Sequence, residues 1–412
     1  MKRPVVWIVA AIVLAGGCVL WKLRLHQTPF QPPSLTSLIT VGDAHVLAID
    51  AAGRILGWGN NTRGALGLAA VCVAKVPAIL AAEPAWRSVH TGTKASYAIA
   101  TDGTLWRRAF AQPGCASPQQ LGSAYESLNW DSHWLKVQES WGTAAGIDDQ
   151  GALWFWDDKE ILPEAARDLG GRAQATLVKA SAAPRWQDFC LSIKKSYAVA
   201  ADGTLWSDTL ALKPFDRAAR AAEFVQMAQI PASVRFTRVF CRENAEHVLA
   251  LDSQGALWGF GRNMFGELGN GERDEFPNIA TVPQTAMQHL TGRRWRNIAV
   301  GVGLTLGVAD DGSLWRWGND VVVGRVGDRE SGDVTKPRLV DRQHRWVSVS
   351  AGHLLAAALT ADGIVCAWGS AENGTLAGGA ATPLAAPPST DPLRPAPPRV
   401  SDKRPAPCSR PE

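Results

Sequence analysis

Two histidines in this 412-residue sequence could act as a base or as a metal ligand, but their positions argue against both roles. His45 and His247 each stand eight residues before a glycine, Gly53 or Gly255, that opens a similar short motif. A residue that recurs at one position of a repeated motif is typical of a shared structural contact. We therefore predict that each histidine bonds backbone inside its own repeat.

Carboxylate pairs and a glycine-rich stretch are the next candidates for chemistry. Adjacent aspartates occur as Asp148-Asp149, Asp157-Asp158 and Asp310-Asp311. Neighbouring side chains of a strand point to opposite faces, so these pairs are predicted to have turn or surface roles. The stretch GVGLTLG, which begins at Gly301, resembles a phosphate-binding loop, but it occupies a strand position and no helix follows it.

Cysteines and arginines add no predicted site. Without Cys18, six cysteines remain, none at metal-ligand spacing: Cys72, Cys115, Cys190, Cys241, Cys366 and Cys408. A Cys72–Cys115 disulfide and scattered buried thiols are both open, and no disulfide is predicted. Arg293, Arg294 and Arg296 flank Trp295 and are interpreted as a solvated rim. The sequence thus predicts no catalytic, cofactor-binding or metal-binding residue and no cofactor, and it leaves the partner-binding residues open.

Composition excludes several classes of protein. Hydrophobic residues make up 46% and charged residues 19%, which is enough apolar material for a sizeable core. The net charge of +4 is too small for a protein that neutralises many phosphates, so nucleic-acid binding is not expected. The 18 tryptophans indicate a structural position that is filled repeatedly.

The N-terminus carries a membrane-targeting segment. Lys2 and Arg3 precede 17 uncharged residues, from Val5 to Trp21, and then come Lys22 and Arg24. We predict a membrane anchor or signal-anchor at residues 1–26, a linker at 27–34, and export of the following domain. Cleavage after Gly17 and lipidation of Cys18 are the alternatives.

Seven copies of one unit make up most of the chain. Each contains a glycine that opens a hairpin, at intervals of 50, 48, 52, 52, 57 and 51 residues: Gly53, Gly103, Gly151, Gly203, Gly255, Gly312 and Gly363. Three residues later stands a tryptophan in five copies, Trp106, Trp154, Trp206, Trp258 and Trp315. Seventeen residues before the glycine stands another in five copies, Trp86, Trp134, Trp186, Trp295 and Trp346, and Phe236 lies near this position in the fifth. Both positions are predicted to pack and not to form a binding box.

Units of about 50 residues with four short strands each predict an all-β, seven-bladed β-propeller over residues 35–400, followed by a disordered proline-rich tail at 401–412. The small residues of stretches such as SYAIA and SYAVA are expected to lie nearest the central axis. The segment from Lys213 to Ile230 is predicted to contain a short helix.

The glycine-rich part of the unit carries a family resemblance. In the first copy it consists of Gly42, His45, Gly53, Trp58, Gly59, Gly64, Leu66 and Gly67, and in the fifth of His247, Gly255, Gly261, Gly266, Leu268 and Gly269. This pattern resembles the regulator-of-chromosome-condensation repeat, whose members form seven-bladed propellers. Repeats two, three and four lack the Trp-Gly-Asn and Leu-Gly segments, so altered loops are expected there.

The start of the first repeat predicts how the ring closes. Most units carry a proline-bearing stretch before the aromatic strand, such as TKPRLV from Thr335, but the first unit begins directly at Leu35. The similar stretch APPRV, residues 396–400, is therefore expected to complete the first blade from the C-terminus.

The resemblance does not select one activity, because the family includes exchange factors, chromatin binders, parts of ubiquitin ligases and secreted inhibitors of β-lactamases. We predict a non-enzymatic, monomeric interaction scaffold in the bacterial inner membrane, with a periplasmic propeller that binds an exported or membrane-bound protein through the loops of one face. The alternatives are an enzyme, a lyase or hydrolase acting in the central funnel, and a secreted enzyme inhibitor.

Overall fold

A computed structural model of the chain describes residues 37–68, 71–110, 124–158, 177–180, 185–192, 195–208, 224–227, 230–274, 287–289, 293–319, 333–353, 355–369 and 382–383. All of them belong to one compact unit, Pro32–Glu412. No helix in these ranges is long and apolar enough to cross a membrane. The predicted anchor, linker and tail lie outside the described residues, and their boundaries stay predictions.

The described residues form seven antiparallel sheets of four strands each, and within each sheet the strands follow in chain order. The first strand of every sheet packs against the first strand of the next, which places these seven strands around a central axis. They are β1 (Ile39–Val41), β5 (Trp86–Thr91), β9 (Trp134–Ser140), β13 (Trp186–Leu191), β17 (Phe236–Phe240), β21 (Trp295–Val300) and β25 (Trp346–Ala351). The prediction of an all-β, seven-bladed propeller is confirmed.

The remaining strands run outward from the axis. The second strands are β2 (His45–Ile49), β6 (Ala95–Ala100), β10 (Thr143–Asp148), β14 (Ser196–Ala200), β18 (His247–Asp252), β22 (Leu304–Ala309) and β26 (Leu355–Thr360). The third strands are β3 (Ile55–Asn60), β7 (Leu105–Ala109), β11 (Leu153–Asp157), β15 (Leu205–Asp208), β19 (Leu257–Gly261), β23 (Leu314–Asn319) and β27 (Ile364–Gly369). The outer strands are β4 (Val73–Ala81), β8 (Glu126–Ser127), β12 (Val178–Lys179), β16 (Phe224–Gln226), β20 (Met287–His289), β24 (Asp333–Asp341) and β28 (Thr382–Pro383).

The repeated glycines turn the second strand into the third. All seven have a positive φ, between 73° and 91°, which a glycine adopts without the steric cost of a side chain. The two aromatic positions then meet edge to face, as in Trp86–Trp106, whose ring centroids lie 5.5 Å apart, and Trp186–Trp206, whose centroids lie 5.9 Å apart. The predicted packing role of these tryptophans is confirmed.

The predicted closure from the C-terminus is wrong, because the repeat was divided at the wrong point. The stretch TKPRLV lies in β24, which pairs with β23 as the outer strand of the preceding unit. The first blade therefore has its four strands between Ile39 and Ala81. The first and seventh blades meet through side-by-side packing, in which the Val41 N–H donates to Ser350 Oγ at 3.0 Å. Residues 396–400 lie outside the described residues.

Only the end of the segment that is predicted to contain a short helix, Lys213 to Ile230, is described, and there the chain forms a strand. Phe224, Val225 and Gln226 form β16, which pairs with β15. Residues 209–223 lie outside the described residues.

Candidate functional site at the central channel

The seven innermost strands enclose a polar channel with a cavity of about 170 Å³. The expectation that the strands nearest the axis are dominated by small apolar residues is wrong. The stretches SYAIA and SYAVA belong to β6 and β14, which are second strands buried between the innermost and third strands of their blades. Along the axis lie ionisable side chains such as Lys136, Glu139, Arg238 and Arg242.

Three charged groups at equivalent positions of adjacent blades form a buried network. Lys136 Nζ lies 2.6 Å from Asp188 Oδ1, and Arg238 Nε lies 2.9 Å from Asp188 Oδ2. The Val239 N–H also donates to Asp188 Oδ2, at 2.8 Å. Burial opposes ionisation of Asp188, but the Lys136 and Arg238 charges outweigh it and hold the pKa of this carboxyl below its usual range. The network ties blades three, four and five together.

A second position of the innermost strands links each blade to the next. This position, the seam position, pairs across the sheet with the residue six before the hairpin glycine: Thr40, His90, Gln138, Cys190, Phe240, Ala299 and Ser350. At five of the seven positions, all except Phe240 and Ala299, the side chain contacts the residue that follows the seam position in the next blade. Gln138 Oε1 accepts the Leu191 N–H at 3.1 Å, and Thr40 Oγ1 accepts the Thr91 N–H at 3.3 Å.

The same contact is covalent between blades four and five. Cys190 at the seam position forms a disulfide with Cys241, with a Cα–Cα distance of 5.6 Å. The sequence left a disulfide and free buried thiols both open, and the structure shows this pair bonded, as are Cys72 and Cys366. The two cysteines stand 51 residues apart, which is one repeat. That spacing is the sequence signal that could have revealed the pair.

Arg242 crosses the channel at one end. It follows Cys241 in the turn after β17 of blade five, and its guanidinium donates to the Ala351 carbonyl of blade seven at 2.7 Å and to the Val41 carbonyl of blade one at 3.1 Å. We call this end, where the innermost strands turn into the second strands, the turn face. Arg242 narrows the channel mouth on the turn face.

The repeat histidines are structural, as predicted, but they bond between blades and not inside one. His45 Nε2 lies 2.7 Å from Thr91 Oγ1 of blade two, and His247 Nε2 lies 3.1 Å from Thr305 Oγ1 of blade six. Burial lowers the pKa of each imidazole to about 3, so both are neutral at physiological pH. Their fixed contacts leave them outside the channel chemistry.

Some aspartates of the adjacent pairs lie in turns, and one is buried in the interior. Asp148 accepts the Ala152 N–H at 2.8 Å, and Asp311 accepts the Ser313 N–H at 2.9 Å, which are the predicted turn roles. Asp158 departs from the prediction, since it is only 2% exposed and accepts Arg107 Nη2 at 2.6 Å and the Tyr97 hydroxyl from blade two. It joins blades two and three.

The two remaining candidates have structural positions. Gly301 and Gly303 lie in the turn between β21 and β22, and the predicted strand position is confirmed only from Leu304, where β22 begins. The Arg293 guanidinium stacks 3.9 Å from the Trp315 ring centroid. Within the described ranges, no group of three or more His, Cys, Asp or Glu side chains is arranged to hold a metal ion.

Trp141 is the side chain on the turn face that sequence reasoning missed. It is 39% exposed and adopts a φ of 53°, a left-handed conformation that is rare for a bulky residue. Trp141 lies at neither of the two repeated aromatic positions and directly precedes Gly142, which is the signal that could have singled it out.

A buried carboxylate holds the Trp141 turn in place. Glu139 Oε1 accepts the Gly142 N–H at 2.5 Å and the Thr93 hydroxyl at 3.0 Å, and its Oε2 accepts the Lys94 N–H at 3.0 Å. The Trp141 N–H donates to Thr93 Oγ1 at 2.8 Å. Burial, with a further contribution from the Asp158 charge, raises the pKa of Glu139 to about 7. The turn of blade three is thereby fixed to the turn of blade two.

Comparisons with known proteins identify the repeats. Residues 37–65 and 254–308 match the family models described as the regulator of chromosome condensation (RCC1) repeat. The chain is 24% identical over 347 residues to the human E3 ubiquitin-protein ligase HERC2, covering 80% of this chain and 7% of that protein. It is 32% identical over 109 residues to the Arabidopsis thaliana ultraviolet-B receptor UVR8, covering 26% of this chain and 22% of the receptor. The chain thus spans a small part of the curated relatives that it matches.

Solved structures agree on the fold. Yeast RCC1 (Prp20), in its complex with Kap60, superposes with a TM-score of 0.60 at 16% identity, covering 90% of this chain and 91% of that chain. Human WBSCR16 superposes with a TM-score of 0.59 at 13% identity, covering 79% of this chain and 87% of that chain. These relatives are eukaryotic, and the bacterial, membrane-anchored character stays a prediction. The chain is a seven-bladed β-propeller in which residues 37–65 and 254–308 match the regulator-of-chromosome-condensation repeat.

Proposed function

We propose that this propeller is a non-catalytic scaffold that binds a protein partner through its turn face. The observation that carries the proposal is Trp141, a large amphipathic side chain that is exposed and held in a strained conformation by the neighbouring blade. Tryptophan is enriched among the residues that dominate protein–protein binding energy, and backbone strain concentrates at functional sites. A rigid turn also loses little conformational entropy on binding.

The channel chemistry gives less support to an enzyme. Lys136 and Arg238 are both bonded to Asp188, which leaves little free capacity for proton transfer. Burial lowers the pKa of His90 to about 3, so the histidine that lines the cavity is a weak base. Arg242 crosses the channel mouth on the turn face.

Site-specific photo-crosslinking in intact cells tests the proposal. A photoreactive phenylalanine analogue replaces Trp141 in one variant and Ile79, an exposed apolar residue of the outer strand β4, in a matched control. We expect one protein to be captured in stoichiometric amount from position 141 and not from position 79. Equal capture from both positions, or capture from neither, would refute the proposal.

We further propose that the propeller is displayed on the periplasmic side of the inner membrane. The disulfide between Cys190 and Cys241 supports this location, because structural disulfides persist mainly in oxidising compartments. Protease treatment of cells with a permeabilised outer envelope should degrade the propeller while a cytoplasmic control protein survives. Protection of the propeller in the same sample would place it in the cytoplasm. A secreted enzyme as the captured partner would give the scaffold the role of an inhibitor.

A further inference from the structure

Glu243 is a buried carboxylate that faces the central channel at the turn face. It follows Arg242 in the turn after β17, it is 7% exposed, and it lines the channel cavity. Among the described residues it has no hydrogen-bond or ion-pair partner, in contrast to Glu139, which accepts three hydrogen bonds. The residue is mostly buried, but its carboxylate oxygens are not fully enclosed, so they are open to a ligand that enters the channel.

The surroundings of Glu243 neutralise it only in part, since the Arg242 charge lowers the pKa of the carboxyl by less than burial raises it. Arg242 is adjacent, but its guanidinium is directed to the carbonyls of Ala351 and Val41 and forms no ion pair with Glu243. Asp43 of blade one adds a second, half-exposed negative charge near the mouth, and its Oδ2 lies 3.8 Å from Arg63 Nη1. Burial raises the pKa of Glu243, which is the expected response of a carboxyl whose charge is poorly compensated. A cation in the mouth would supply the missing partner.

We propose that the channel mouth beside Glu243 receives the side chain of a lysine or arginine of the protein partner, whose ammonium or guanidinium hydrogen-bonds to the Glu243 carboxylate. A charge-assisted bond of this kind is about twice as strong as a neutral one, and it becomes stronger where water is excluded. The inference rests on the proposed function, because it assigns the cation to the same partner that Trp141 contacts. The basic side chain supplies specificity and the indole supplies buried apolar area.

Small cations test the subsite without knowledge of the partner. The probes are n-butylammonium and ethylguanidinium, with 1-butanol as the neutral analogue, and binding to the full-length protein is followed by saturation-transfer NMR. Glu246→Gln is the matched control, since Glu246 lies three residues away and is paired with Arg262 at 2.5 Å. We expect both cations to bind the wild type and the control, at least tenfold more weakly to Glu243→Gln, and 1-butanol to bind none of them.

Two results overturn the subsite. One is equal affinity of the cations for wild type and Glu243→Gln, and the other is absence of cation binding to the wild type. A matching far-ultraviolet circular dichroism spectrum, with a midpoint temperature for Glu243→Gln no lower than that of the wild type, excludes misfolding as the cause of lost binding.

The partner captured from position 141 separates this inference from the proposed function. We expect Glu243→Gln to weaken that complex at least tenfold and a basic residue of the partner to crosslink beside Glu243. A partner that binds both variants equally would refute the inference and leave the scaffold function intact. Cation binding with no captured partner would refute the assignment to a protein and leave a free amine or guanidine as the occupant.

Discussion

Removal of the disulfide between Cys190 and Cys241 should lower the free energy of unfolding of the propeller by a calculable amount. The bond closes a loop of 51 residues between the innermost strands of blades four and five. Closing a loop of this length lowers the conformational entropy of the unfolded chain by about 14 cal/mol/K, which raises the free energy of the unfolded state by about 4 kcal/mol at 25 °C. The double substitution Cys190→Ala with Cys241→Ala is the direct perturbation.

A second pair of substitutions separates the covalent link from the seam contact. Cys190→Ser with Cys241→Val reproduces the Ser350 and Val41 pair that joins blades seven and one by a hydrogen bond. This variant should recover about 1 kcal/mol of the loss, the usual net contribution of one hydrogen bond.

Urea unfolding at equilibrium, followed by tryptophan fluorescence and by circular dichroism, measures both variants. Coincident transitions by the two probes justify a single free energy for each protein. A loss below about 1 kcal/mol for the double alanine variant would refute the loop argument. Equal stability of the two variants would refute the equivalence of the seam positions.

Three further perturbations probe the channel and the turn face. Asp188→Asn leaves Lys136 and Arg238 buried without their anion and should lower the free energy of unfolding, measured in urea, by about 3–5 kcal/mol. Asp202→Asn, in an exposed hairpin, is the control, and an equal loss of unfolding free energy in the two variants would contradict this prediction. Because the pKa of Glu139 is raised from 4.5 to about 7 in the folded state, its contribution to stability is present at acidic pH and is lost as the pH rises through 7. Between pH 5 and 8, the free energy of unfolding of Glu139→Gln should therefore fall less than that of the wild type. Parallel curves of unfolding free energy against pH for the two proteins would contradict this role of Glu139. Gly92→Ala places a methyl group against the Glu139 carboxylate and should lower the free energy of unfolding, measured by calorimetry, by about 1–3 kcal/mol. An unchanged midpoint temperature would show that the turn adjusts to the methyl group without loss of stability.

The repeat architecture could be predicted because it depends on local chemistry. The hairpin glycines take positive φ angles wherever they occur, and the aromatic positions at fixed distances from them must pack in every blade. Seven such units at a regular interval permit few arrangements other than a closed ring.

The starting point of the repeat and the contents of the channel could not be predicted in the same way. A periodic pattern does not show where one blade ends, so the strand containing Pro337 was assigned to the wrong unit and closure was expected from the C-terminus. The same error in phase placed Ala-rich second strands at the axis, where the structure has Lys136, Asp188 and Arg238. These three residues differ in type from blade to blade, and no repeat pattern marks positions that vary.

Besides the other contacts between neighbouring blades, each blade meets the next at a seam position, so the ring contains seven joints of this kind whose strengths can change one substitution at a time. A polar or covalent contact is present at five of them, from Thr40, His90, Gln138, Cys190 and Ser350. Phe240 and Ala299 place apolar side chains at the other two, on either side of blade six, and Arg242 reaches from blade five past blade six to the carbonyl of Ala351. The His247–Thr305 contact holds the second strand of blade six to blade five, so its innermost strand is where native-state hydrogen exchange should be fastest among the seven, with Arg242 as the brace that limits the opening.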